Sequence, residues 1–200
     1  MPLTDAQIER YSRQIIVPRI GGRAQQRLLA ARVLLVGDTH DIEAPLAYLV
    51  GAGVGTISLQ LSGNPATFAE KITEMRQLNS DVSVRIEDES QGRVDLALLI
   101  LGSEGARKVA VGIDDDRDVR ALVIARLDAP GKIAVIPNTH GSRIAEATMV
   151  AKVGKLSEAA DFIAMLATVE AFKLIAGYAE NPSRAIIEFD GYETRVRVHP

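Results

Sequence analysis

Arg32-Val33-Leu34-Leu35-Val36-Gly37 is a short, almost wholly apolar run closed by glycine. Its length and branched side chains predict a buried strand, not a helix. Downstream, residues 42–50 show helical spacing and stop at Gly51 and Gly53, and Val54 to Leu61 predicts a second strand. Strand, helix and strand in close succession make a βαβ unit. The alternation then continues. A helix capped by Thr67 runs to about Leu78, and Val82-Ser83-Val84-Arg85-Ile86 alternates as a half-buried strand. Val94 to Leu101 is nearly all apolar, as a parallel strand covered on both faces must be. Residues 103–111 predict a helix, and 121–127 and 132–136 predict further strands.

The flanks of this core read differently. Ahead of it, Thr4-Asp5-Ala6-Gln7 is a capping-box start for one short amphipathic helix carrying Ile8, Tyr11, Ile15 and Ile16, and a second short helix covers residues 25–30. Behind it, residues 157–178 form the longest periodic helix, with Phe162, Ile163, Leu166, Val169, Phe172, Leu174 and Ile175 expected inward. Two last strands, 185–189 and 194–198, flank Asp190-Gly191, a two-residue type I′ hairpin signal. The expected architecture is α/β: a Rossmann-like open sheet with flanking helices and a C-terminal β-hairpin. We expect a single domain over residues 1–200, with an N-terminal helical arm at about 1–31.

Composition narrows the function. In 200 residues, 23 basic and 26 acidic side chains leave a net charge of -3, too small to draw the chain onto nucleic acid or an anionic membrane. The absence of cysteine removes thiolate metal sites and any cysteine nucleophile. No apolar run reaches the roughly 20 residues a membrane helix needs, so a cytoplasmic protein is expected. His40, His140 and His199 are scattered without a ligand-like spacing, and no metal site is expected. The acidic run Asp114-Asp115-Asp116-Arg117-Asp118 reads as a solvated loop, as does Asn138-Thr139-His140-Gly141-Ser142-Arg143.

Several segments, taken together, resemble a known family. Arg10-Tyr11-Ser12-Arg13-Gln14-Ile15 is similar to its RYxRQ motif, and Leu49-Val50-Gly51-Ala52-Gly53-Val54-Gly55-Thr56-Ile57 to its LxxAGVGxI turn. Residues 168–178 resemble its late helix, and Phe189-Asp190-Gly191 its closing strands. The order and spacing are those of the ThiF/MoeB/HesA adenylating proteins, relatives of the ubiquitin-activating enzymes. The resemblance implies ATP on a glycine-rich turn and adenylation of the C-terminus of a ubiquitin-like or sulfur-carrier protein.

The site residues depart from that pattern. Where the family reads G-x-G-G-x-G, this chain reads Gly37-Asp38-Thr39-His40-Asp41-Ile42-Glu43, so that only the first glycine remains. Asp41 and Glu43 are expected to cap the following helix and repel a triphosphate. Gln60 stands in for the acidic residue expected on the ribose, and the NLxRQ arginine has no counterpart. Lys71 matches the family's phosphate-contacting lysine, and Gly102-Ser103 replaces the magnesium-holding aspartate, with Glu104 nearby. Arg13 matches the arginine that crosses the family's dimer interface to the partner's ATP. The candidate nucleotide-contacting residues are thus Arg13, Gly37, Gln60 and Lys71, with no catalytic residue assigned.

The lead expectation is a degenerate member acting as a structural or regulatory dimer subunit. It would be a homodimer, or a heterodimer in which Arg13 completes an active homologue, with the interface on the N-terminal and late helices. No cofactor is expected, ATP and magnesium entering only if activity is retained. The first alternative is an ATP-dependent adenylating enzyme with an altered nucleotide site using Lys71, Gln60 and Glu104. The second is a module that grips a ubiquitin-like carrier protein or peptide without activating it. The pathway is left open.

Overall fold

The computed structural model describes residues 2–18, 20–86, 93–111, 118–128, 130–137, 157–178, 184–189 and 194–199. Expectations for 114–117, for 138–155 and for the Asp190-Gly191 turn lie outside them. Eight strands form one sheet in the order β3-β2-β1-β4-β5-β6-β7-β8. They are β1 (Arg32–Asp38), β2 (Thr56–Ser62), β3 (Ser83–Ile86), β4 (Leu96–Leu101), β5 (Ala121–Arg126), β6 (Gly131–Pro137), β7 (Arg184–Phe189) and β8 (Thr194–His199). The first five strands in that order run parallel, and β6, β7 and β8 extend the sheet antiparallel. The α/β expectation holds, including the closing hairpin. Its register pairs Phe189 with Thr194, in line with the strand ends expected from the sequence.

Seven α-helices are described: α1 (Asp5–Arg10), α2 (Ser12–Ile15), α3 (Gly21–Ala30), α4 (Glu43–Ala52), α5 (Ala69–Leu78), α6 (Glu104–Val111) and α7 (Ala160–Ala176). The central strand β4 is buried along its whole length, which is why its sequence shows no alternation. On one face, Val33, Leu35, Ile57, Leu59, Leu98 and Ile100 pack with α3, α4, α5 and α7. On the other, Leu34, Val36, Ala97 and Leu99 pack against Ala106 and Ala110 of α6. Strand alternation therefore decides which layer each side chain joins. Helix α4 ends where Gly53 takes a left-handed conformation, and α7 ends in the same way at Gly177.

Three local expectations are corrected. The capping box at Thr4 and Gln7 is present, but the helix breaks at Tyr11 into α1 and α2, leaving Ile8 48% and Ile16 77% exposed. Thr67 does not cap α5. Asn64 caps a 3-10 turn at Pro65–Phe68, accepting from the Ala66 amide at 3.0 Å, and α5 follows at Ala69. Phe162 is exposed, and its ring leans on Phe189 of β7 at 5.1 Å.

Candidate functional site

The turn between β1 and α4 is the place to begin, because open α/β sheets bind ligands beyond the carboxyl ends of their strands. Gly37 is required there by packing. A Cβ on it would lie 2.6 Å from Ile42 Cγ2 and 2.8 Å from the Ile100 carbonyl oxygen. Helix α4 has Ile42 at its N-cap, and no side chain caps it, so Asp41 and Glu43 do not fill the capping role expected of them. Glu43 sits in the first helical turn, where its charge suits the dipole. Asp41 turns the other way and lays its carboxylate over Gly102 at the end of β4, leaving no room for a Cβ on that residue. Partial burial pushes the Asp41 carboxyl above its usual range, and the neighbouring charges of Asp38 and Asp161 push in the same direction.

Lys71 stands in the first turn of α5 and is held by two carboxylates, Glu43 at 2.7 Å and Glu74 at 2.8 Å. The hydrogen bond to Glu43, and then that to Glu74, hold its ammonium above the ordinary lysine range. Gln60 lies in register with Val36, and alternation directs it toward the α6 layer, whereas α5 and Lys71 cover the opposite layer. Its Oε1 is buried without a hydrogen-bond partner among the described residues. The structure therefore gathers Glu43 and Lys71 but leaves Gln60 on the other face of the sheet. At the head of α6, Ser103 Oγ accepts from the Ala106 amide at 3.1 Å as a helix cap. Glu104 is clamped by Arg107, whose hydrogen bonding lowers its carboxyl below the usual range.

Sequence reasoning assigned Arg13 a role but missed what its neighbours do. Tyr11 is 1% exposed, and its hydroxyl donates to Asp81 Oδ2 at 3.1 Å and accepts from Asn79 Nδ2 at 2.9 Å. Arg10 Nε lies 3.3 Å from the same Asp81 oxygen, and Gln7 Nε2 donates to Asp81 Oδ1 at 3.2 Å. The motif's first arginine and tyrosine thus tie the N-terminal arm to the α5–β3 corner. Arg13 is exposed on α2 and has no hydrogen bond or ion pair among the described residues. The only sequence signal for this tie is the RYxRQ motif itself, because its partners lie about seventy residues away.

No group of three or more His, Asp or Glu side chains suited to a metal ion occurs among the described residues. No described helix is long and apolar enough to cross a membrane. A hollow of about 410 Å³ lies at the amino end of the parallel strands, opposite the β1–α4 turn, with Asp95, Arg120, Leu96 and Leu174 in its wall.

No family model matches the chain. The adenylyltransferase and sulfurtransferase uba4 of Pyricularia oryzae is 52% identical over 59 residues, covering 29% of this chain and 12% of that protein. The protein of the same name from Aspergillus niger is 49% identical over 59 residues, with the same coverage. The chain therefore matches only a small part of these relatives' length. Among solved structures, PaaA superposes with a TM-score of 0.62 at 16% identity, over 98% of this chain and 74% of that one. Escherichia coli MccB with succinimide gives 0.61 at 15% identity over 95% and 71%, and MccB with ATP gives 0.57 at 15% over 95% and 70%. These likenesses establish the shared α/β fold.

Proposed function

We propose that this chain, a member of the ThiF/MoeB-like family, has lost adenylation and works as a structural or regulatory subunit of a dimer, offering Arg13 to an active homologue. Its relatives named above are adenylyltransferases, and MccB has been solved with ATP. The observation that carries the reading is the charge of the β1–α4 turn. Asp38, Asp41 and Glu43 occupy the turn, and Lys71, the cation in reach, is already neutralised by Glu43 and Glu74. A triphosphate brought there would meet like charge. Each carboxylate at about 4 Å from a phosphate charge costs from about 1 kcal/mol in water to about 4 kcal/mol near a protein surface. The residues present do not suit a magnesium nucleotide.

Two further observations support a subunit role. Arg13 has no partner among the described residues, and Ile16 and Val17 just beyond it are exposed together with Ile8. A free guanidinium beside apolar surface suits contact with another protein carrying phosphate or carboxylate charge. The carrier partner of the family, a ubiquitin-like protein or a peptide such as the MccA solved with MccB, remains part of the proposal.

A thermal-shift titration with ATP and magnesium tests it. Ligand at 100 times its dissociation constant stabilises a protein by about 2.7 kcal/mol. We expect no shift up to millimolar nucleotide, and a clear one would return the chain to the adenylating enzymes. Mixing with an active homologue tests the positive half, since Arg13→Ala should abolish any stimulation that the intact chain provides.

A further inference from the structure

Helices α1 and α2 bury no residue of their own. They are six and four residues long, too short to persist unaided, since isolated helices shorter than about 12–15 residues are marginal in water. Between them only Tyr11 is buried. The arm is nevertheless placed, and the bonds that place it converge on one side chain. Asp81 receives Gln7 Nε2 on Oδ1 at 3.2 Å and the Tyr11 hydroxyl on Oδ2 at 3.1 Å, with Arg10 Nε 3.3 Å from the same oxygen. Two flanking residues complete the corner. Arg10 Nη2 donates to Ser80 Oγ at 3.2 Å, while Asn79 Nδ2 donates both to Tyr11 and to the Val50 carbonyl at 2.8 Å. Apart from this corner, among the described residues, the arm's side chains reach the core through Gln14 Nε2, which donates to the Gly51 carbonyl at a long 3.4 Å.

We infer that Asp81 is the release point of a detachable N-terminal strap: residues 5–16 dock and undock as a unit, governed by this carboxylate, while the sheet stays folded. Three donors, Gln7 and Arg10 of α1 and Tyr11 where the two helices meet, share one acceptor group, so its loss removes a bond from all three at once. The helices themselves bury no residue, the signature of a segment at the low-stability end of a protein. The strands and the helices α3 to α7 carry the apolar contacts of the two core layers, to which the arm adds the Tyr11 ring. The strap displays Arg13, and here the inference rests on the reading given above: Asp81 is then a positioning residue for that guanidinium, acting through the arm.

Amide hydrogen exchange of the full chain, followed by mass spectrometry, tests this without any assumed activity. Asp81→Ala should speed exchange of residues 5–16 at least tenfold while β1 and β4 keep their protection. Asp81→Asn, which keeps the size but offers a donor where three donors point, should do the same. Arg10→Lys, which keeps the charge and loses the Ser80 bond, should give a smaller acceleration. Unchanged arm protection in both Asp81 variants overturns the inference, and so does equal loss of protection in arm and core. Stimulation of an active homologue by Arg13→Ala and Asp81→Ala is read separately. Arm loosening with no effect of Arg13→Ala leaves the strap standing and removes the subunit role.

Discussion

Gly53 offers the sharpest test of how the arm is seated. It carries a φ of +83° at the end of α4, and a Cβ there would lie 2.6 Å from the Tyr11 hydroxyl and 2.8 Å from Gln25 Nε2. Gly53→Ala therefore has two costs. The left-handed backbone costs a residue with a side chain about 1 kcal/mol. The methyl must also displace the Tyr11 hydroxyl, which is bonded to Asp81 and to the buried Asn79, and unmade bonds to a buried group cost about 1–3 kcal/mol. The sum is about 3 kcal/mol, which for a chain of 200 residues corresponds to a fall of roughly 6–12 °C in Tm. A double-mutant cycle with Tyr11→Phe separates the parts by urea denaturation. Without the hydroxyl the ring must still shift, since its Cζ stands 2.7 Å from the added Cβ, but no hydrogen bond is lost, so Gly53→Ala should cost only about 1–2 kcal/mol, giving a coupling of about 1–2 kcal/mol. If the glycine substitution costs the same in both backgrounds to within about 0.5 kcal/mol, the hydroxyl contact is not what demands glycine, and the reasoning fails.

Gly55→Ala should be worse still, because its Cβ would fall on the Leu29 carbonyl oxygen, a backbone atom that cannot step aside; recovery of soluble, cooperatively folding protein would count against this. Asp41→Asn should stabilise the chain at neutral pH. The folded Asp41 carboxyl is raised above the ordinary 3.8, so wild-type stability falls as pH climbs from there to the folded value and stays reduced above it. The variant's advantage should vanish in denaturation curves taken below that window, and an advantage that persists in acid would show another cause. Glu43→Gln combined with Glu74→Gln should bring the Lys71 ammonium back toward its ordinary 10.5, followed by the carbon chemical shift beside its nitrogen; an unmoved titration would mean the two glutamates do not hold it.

Much of the fold was legible because burial writes itself into residue order. The unbroken apolar run 96–101 announced the fully covered central strand, and Gly53 and Gly177 marked the helix ends that they form. Legibility stopped where long-range partners decide. Nothing near Tyr11 in sequence announces Asn79 and Asp81, which hold its hydroxyl at the break between the two helices, or the exposure of Ile8 and Ile16. Phe162 keeps helical phase with the core but finds Phe189 at the surface of the sheet's antiparallel half. The site was read correctly as rich in carboxylates and wrongly as a capped helix start. Asp41 prefers the space over Gly102, a neighbour supplied by a strand sixty residues on. Lys71 matched a motif, and its neutralisation by Glu43 and Glu74 needed the packing of α4 beside α5 to be seen.

The seat of Gly37 bears on what a conserved-looking turn glycine means. Its missing Cβ is demanded by Ile42 and by the Ile100 carbonyl. Positions 38–43 tolerate polar side chains, whereas a side chain at position 37 would unseat the first strand from its neighbour. The glycine at position 37 is thus a requirement of packing, and its presence says nothing about whether a nucleotide binds the turn.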